Sequence, residues 1–194
     1  MNSELLYVFG TGNATVTNLY NTCFALRDGD EYFMVDAGGG NGILKILDEM
    51  KVDLNHIHHI FVTHEHTDHI LGIVWMIRMI CQHMKQGQYE GEAWIYGHDE
   101  VIGLLGEMAE QLYPKKLTDF IGKRLHLVVV NDGEERTLMG HKVTFFDIRS
   151  TKAKQYGFCM DMGNGEKLTC CGDEPYNECE KKYAENSKWL LHEA

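Results

Sequence analysis

Between residues 64 and 69 the chain sets three imidazoles and a carboxylate: His64, His66, Asp68 and His69, in the order His-Glu-His-Thr-Asp-His. On extended backbone alternate side chains share a face, so His64 and His66 can address one ion. A turn into a helix directly afterwards aims Asp68 and His69 at a neighbouring position. Imidazole with carboxylate is a donor set for zinc, and also for manganese or iron. Two such ions about 3.5 to 4 Å apart activate a shared water and carry the charge of an in-line displacement. The plain alternative is a polar loop, since His56, His58 and His59 show that this chain places histidines freely. The acid at its offset, straight after an apolar strand, favours the metal reading.

Holding such a cluster requires a strand that runs into it and a helix that leaves it. Residues 59–63 read as that strand and the apolar run 70–84 as the start of a long buried helix ending near Gln86. The run contains Arg78 and is too short for a bilayer span. Trp75, Met76, Ile77, Met79 and Ile80 are expected in the core. Two apolar runs around Asp28-Gly29-Asp30 predict a hairpin, and a second one surrounds Gly163-Asn164-Gly165. Strands are predicted at 5–9, 93–96, 125–130, 142–148 and 189–191, and helices at 43–50, 99–111 and 176–186. This alternation predicts an α/β fold with helix-covered sheets, in one domain spanning residues 1–194.

The formal net charge of −11 lacks the basic surplus of a nucleic-acid binder. Long RNA is therefore disfavoured against a small or nucleotide-sized substrate. Six cysteines form no C-x-x-C pair, which argues against a zinc knuckle and for free thiols in a reducing cytoplasm. The first residues carry no basic, apolar leader pattern, and no membrane association is expected.

The segment Thr63-His64-Glu65-His66-Thr67-Asp68-His69 resembles the signature of the metallo-β-lactamase superfamily. Gly10-Thr11-Gly12, Val35-Asp36-Ala37-Gly38, Gly172-Asp173 and Leu191-His192-Glu193-Ala194 extend the likeness, and the last is similar to an element of the ribonuclease Z-like branch. The resemblance implies a four-layer αββα sandwich and a two-metal hydrolase centre. His64 and His66 would hold one ion, Asp68 and His69 the other, and Asp173 would bridge them, with zinc ahead of manganese or iron. Asp68 would orient or deprotonate the attacking water, and His192 would donate a proton to the leaving oxygen. The implied activity is phosphodiester hydrolysis through a metal-bound hydroxide.

Two departures stand against this pattern. Arg149 occupies the position of an expected histidine ligand, and an arginine has no acceptor with which to bind a cation. The family's further helix, strand and final histidine do not follow Ala194. Three readings stay open: a centre with three protein ligands per ion, a centre in which Arg149 pairs with Asp68 or Asp173 in place of metal charge, and a chain completed by a partner. The second makes the protein an impaired binding or regulatory member. A homodimer would cover an edge left by the short end.

Of the remaining candidates, Asp36 reads equally as a support behind the metal ligands or as a cap of the Gly-rich turn. Gly38-Gly39-Gly40 before a helix suggests an anion cradle. His98 is expected as a helix cap or surface residue, His126 as structural, and Lys152 and Lys154 as a solvated loop.

Overall fold

The computed structural model describes residues 4–163 and 165–192, which form two compact units dividing after Val128. The first holds a six-stranded sheet in the order β1-β2-β3-β4-β5-β6. Its strands are β1 (Leu5–Gly10), β2 (Cys23–Asp28), β3 (Glu31–Val35), β4 (Ile57–Phe61), β5 (Ala93–Gly97) and β6 (Leu125–Val129). The β1, β2 and β3 strands pair antiparallel, whereas β3, β4 and β5 run parallel. The parallel register requires crossovers, supplied by helices α1 (Gly42–Glu49) and α2 (Thr67–Gln86). Helices α3 (Asp99–Leu112) and α4 (Lys115–Thr118) follow β5.

Apolar spacing decides which helix faces are covered. In α2, Ile70, Ile73, Met76, Ile77, Ile80 and Met84 fall on one stripe and are buried. They join Ile43 and Leu47 of α1, Val101 and Leu105 of α3, and Ala25, Met34, Ile60 and Ile95 of the strands in one core cluster. Each such side chain contributes about 1.5 to 3 kcal/mol on burial. Trp75 departs from the expected core: it lies opposite the Ile73 stripe and is 38% exposed. At the helix end, Gly87 takes a left-handed conformation (φ 71°) and its N–H bonds back to the last turn.

The second unit holds a five-stranded sheet in the order β11-β10-β9-β8-β7. These strands are β7 (Glu135–Leu138), β8 (His141–Asp147), β9 (Tyr156–Gly163), β10 (Glu166–Cys170) and β11 (Trp189–Leu191). The edge strand β7 escapes sequence reading because Glu-Arg-Thr-Leu buries only its last residue. The helix expected at 176–186 shrinks to a 3₁₀ turn, Glu178–Glu180, and α5, Lys181–Ala184. Asn177 caps the turn through the Cys179 N–H, and Asn186, at φ 61°, ends the segment. Of the expected hairpin turn and the Leu191-His192-Glu193-Ala194 element, Asn164, Glu193 and Ala194 lie outside the described residues. Among the described residues, no helix is long and apolar enough to cross a membrane.

Candidate metal centre

The parallel strands β3 and β4 end side by side, and the centre grows from their ends. Asp36 follows β3 with φ 54° and is buried. Its N–H donates to the Phe61 carbonyl at 2.9 Å. One residue beyond Val62, the β4 ladder gives way to a side chain: Thr63 N donates to Asp36 Oδ1 (2.9 Å) and Thr63 Oγ1 to Oδ2 (2.8 Å). For this reason β4 stops at Phe61, and residues 62–66 are irregular rather than the strand expected through Thr63. His66 is the N-cap residue of α2, still in extended backbone (φ −62°, ψ 146°).

A chain of hydrogen bonds then fixes the tautomers of two rings. Thr63 Oγ1 spends its one proton on Asp36, so at 2.9 Å it accepts from His64 Nδ1. His64 Nε2 is thereby the acceptor nitrogen, and it faces His66 Nδ1 at 2.9 Å. His69 Nδ1 donates to Asp36 Oδ2 at 2.8 Å, which leaves its Nε2 as acceptor, 3.5 Å from Asp68 Oδ2. Ring centroids lie 4.5 Å apart for His64 and His66 and 4.2 Å apart for His64 and His69. Neutral imidazoles whose second nitrogen is tied to a carboxylate or hydroxyl are oriented metal ligands. Zinc bonds of about 2.0 to 2.1 Å in tetrahedral geometry separate two nitrogens by about 3.3 Å, close to the spacing seen. The residues fit a divalent ion.

Asp36 is thus a support behind His64 and His69, and Thr63, which sequence reasoning passed over, is its relay to His64. The signal available was its place directly before His64. Helix α2 is held against the same turn: Ala37 N donates to His69 O (3.2 Å) and Gly72 N to Gly38 O (2.8 Å). A Cβ on Gly72 would meet Ala37 O at 1.8 Å, so the approach that seats Asp68 and His69 depends on glycine.

The glycine cradle does not serve an anion. Tyr20 Oη accepts from Ile43 N (3.0 Å), the amide at the start of α1, and donates to Gly40 O (2.7 Å). Burial pushes the Tyr20 phenol up to about 12. His98 is neither an exposed residue nor a side-chain cap. It sits at the N-cap of α3 without a capping bond, fully buried, with Nε2 3.6 Å from Glu65 Oε2. The structural reading of His126 holds: it stacks on Trp94 and bonds Glu92 at 2.6 Å.

The second unit carries the other site candidates. Asp173 follows β10, and its N–H donates to Gln155 Oε1 at 3.1 Å. Arg149 is 59% exposed and paired with Asp132 (2.8 Å) and Asp147 (3.4 Å). The expected pairing with Asp68 or Asp173 is not the one adopted, because Asp147 accepts from the Arg149 N–H (2.7 Å) and draws the guanidinium to its own side. Of the expected solvated lysines, Lys152 pairs with Glu174 (3.6 Å) and Lys154 lies over the Tyr156 ring (5.8 Å to its centroid). His192 Nε2 lies 3.1 Å from Glu180 Oε2. Glu180 is fully buried, and burial pushes its carboxyl up against the lowering effect of the His192 bond. Nothing in the sequence distinguished Glu180 from the acidic residues around it.

A family model described as Anti-Pycsar protein Apyc1 matches residues 5–194. Ribonuclease Z of Thermococcus sibiricus is 37% identical over 95 residues, which cover 48% of this chain and 29% of that protein. The chain spans 26% and 29% of the length of the curated relatives it matches. The metallo-β-lactamase fold protein YhfI of Bacillus subtilis superposes with a TM-score of 0.75 at 20% identity, covering 96% of this chain and 70% of that one. The short form of human tRNase Z superposes at 0.76 and 19%, covering 99% and 78%. These likenesses show that the chain has the metallo-β-lactamase fold.

Proposed function

The chain belongs to the Anti-Pycsar protein Apyc1 family, and from that premise we propose that it is a metal-dependent phosphodiesterase acting on a nucleotide or another small phosphodiester. The observation that carries this reading is the Asp36–Thr63–His64 relay together with the Asp36–His69 bond, which presents two imidazoles in their metal-binding tautomers. His64 and His66 would hold one ion and Asp68 and His69 a second, with Asp173 as the shared ligand and zinc as the metal. When bound, the ions would lower the pKa of a water and offset the charge that develops on the phosphoryl oxygens. Asp68 would orient that water, and His192, steadied by Glu180, would deliver a proton to the leaving oxygen. Relatives named as ribonuclease Z and tRNase Z support a phosphodiester. The net charge of −11 favours a small substrate over a long polyanion.

Arg149 tests the competing reading of an impaired member. Its charge is met by Asp132 and Asp147 of its own unit, which speaks against that reading. We expect about two divalent ions per chain on protein purified without chelators. Hydrolysis of bis(p-nitrophenyl) phosphate but not of a thioester should accompany them. A metal content near zero that Arg149→His restores would establish the impaired reading. Near zero in both chains would overturn the metal centre.

A further inference from the structure

The second unit gathers a thiol, a carboxylate and an imidazole that the proposed reaction uses only in part. Cys171 leaves the end of β10, and its N–H donates to Leu191 O at 2.9 Å. That bond brings the next residue, His192, alongside. Glu180 closes the 3₁₀ turn that faces them. Ligand atoms of Cys171, Glu180 and His192 all lie within 4.8 Å of one another. Cys171 and Glu180 are fully buried, while the His192 side chain keeps 19% of its surface exposed. Phe146 and Ile148 pack against Cys171 in a small core of their own.

Glu180 needs an explanation. It is fully buried, its Oε2 bonds His192, and the Asn177 N–H and the Cys171 thiol also act on its carboxyl, so the thiol and the ring meet at one buried acid. Thiolate, imidazole and carboxylate are the three donor types of zinc sites, at about 2.3, 2.0 and 2.1 Å. Tetrahedral angles then separate the donors by about 3.3 to 3.6 Å, inside the 4.8 Å that bounds these ligand atoms and close to the 3.1 Å between His192 Nε2 and Glu180 Oε2.

We propose that Cys171, Glu180 and His192 form a thiolate zinc site sharing no residue with the His64–His69 cluster, with its fourth position open on the exposed side of His192. Zinc displaces the Cys171 thiol proton to solvent on binding. The consequence for turnover rests on the proposed function: zinc on one His192 nitrogen excludes the doubly protonated ring that acts as general acid, so occupancy inhibits. The site is a brake read by free zinc.

Cobalt(II) tests this on the full chain, stripped of metal and kept reduced. Histidine and aspartate ligands produce no near-ultraviolet thiolate-to-cobalt band, so such a band reports this site alone. A band that grows in after the cluster positions fill, corresponds to one site, is bleached by zinc and is lost in Cys171→Ser is expected. Absence of the band, or its persistence in Cys171→Ser, overturns the proposal. Glu180→Gln keeps the shape and tests it again should the serine variant not fold: cobalt affinity should fall at least about tenfold, and unchanged affinity overturns it. Inhibition of bis(p-nitrophenyl) phosphate turnover by excess zinc should vanish in Cys171→Ser. A band without turnover at any loading would defeat the proposed function and leave this site standing. Turnover without a band would do the reverse.

Discussion

Asp36→Asn should separate metal affinity from stability more sharply than any ligand deletion. The change is nearly isosteric, and the left-handed backbone at φ 54° suits asparagine. The amide oxygen must stay on Thr63 N, because the opposite flip would set two donors 2.9 Å apart. The amide NH₂ therefore takes the place of Oδ2 and donates to both Thr63 Oγ1 and His69 Nδ1. Thr63 must now donate onward to His64 Nδ1, and both rings move their proton to Nε2, the ligating nitrogen. Losing a supporting partner typically lowers metal affinity by about 10- to 100-fold per ligand, or about 1.4 to 2.7 kcal/mol. With two rings inverted, the loss should reach about 10²- to 10⁴-fold. The metal-free protein exchanges hydrogen bonds one for one, so its stability should change by no more than about 1 kcal/mol. Competition against a chromogenic chelator reads the first quantity, and thermal unfolding of stripped protein the second. An affinity within threefold of the parent, with unchanged metal-free stability, would refute the tautomer argument.

Two further predictions concern the scaffold. Gly72→Ala should lower stability by about 2 kcal/mol, or about 4 to 8 °C in Tm, because the clash with Ala37 O exceeds the roughly 1 kcal/mol gain in helix propensity. Gly103→Ala in α3, where a Cβ meets nothing within 4 Å, should gain about 0.5 to 1 kcal/mol; equal shifts in both variants by calorimetry would contradict the close approach. Burial pushes the Cys81 thiol up to about 11 from 9.0 and the Tyr20 phenol up to about 12 from 10.0. The fold therefore favours their protonated forms. Their stabilising contribution is complete below pH 9 and is lost as pH rises towards 12. Urea midpoints should fall across that window, less steeply above pH 10 in Tyr20→Phe, and a flat profile would count against it.

The His64–His69 cluster was legible because its four candidate ligands fall within six residues at a strand-to-helix turn, which carry their geometry with them. Strands and helices with clear periodicity were legible for the same local reason. Asp36 stayed ambiguous, since capping and support both suit a strand-end acid and only pairing of β3 with β4 brings it to Thr63. Trp75 was misplaced by reading an apolar run as a whole rather than by angle around the helix. His98 was misplaced because capping statistics describe a backbone position and say nothing of the packing that closes over it. Glu180 left no trace, because its distinction is a burial that only the distant His192 and Cys171 confer.

The two units use a buried carboxylate against an imidazole in different ways, and the difference assigns their duties. Asp36 accepts from Thr63 N, Thr63 Oγ1 and His69 Nδ1, so its oxygens are satisfied by fixed donors. A carboxylate held so is suited to keeping rings still, as a metal ligand requires. Glu180 bonds His192 through Oε2, the Asn177 N–H and the Cys171 thiol act on the same carboxyl, and burial still raises its affinity for a proton. A pair whose acid is pushed towards its protonated form exchanges a proton more readily. Under the proposed function, proton delivery would fall to the Glu180–His192 pair, and the holding of ligands to Asp36. The sequence distance between partners, 33 residues for Asp36 and His69 against 12 for Glu180 and His192, does not distinguish these roles.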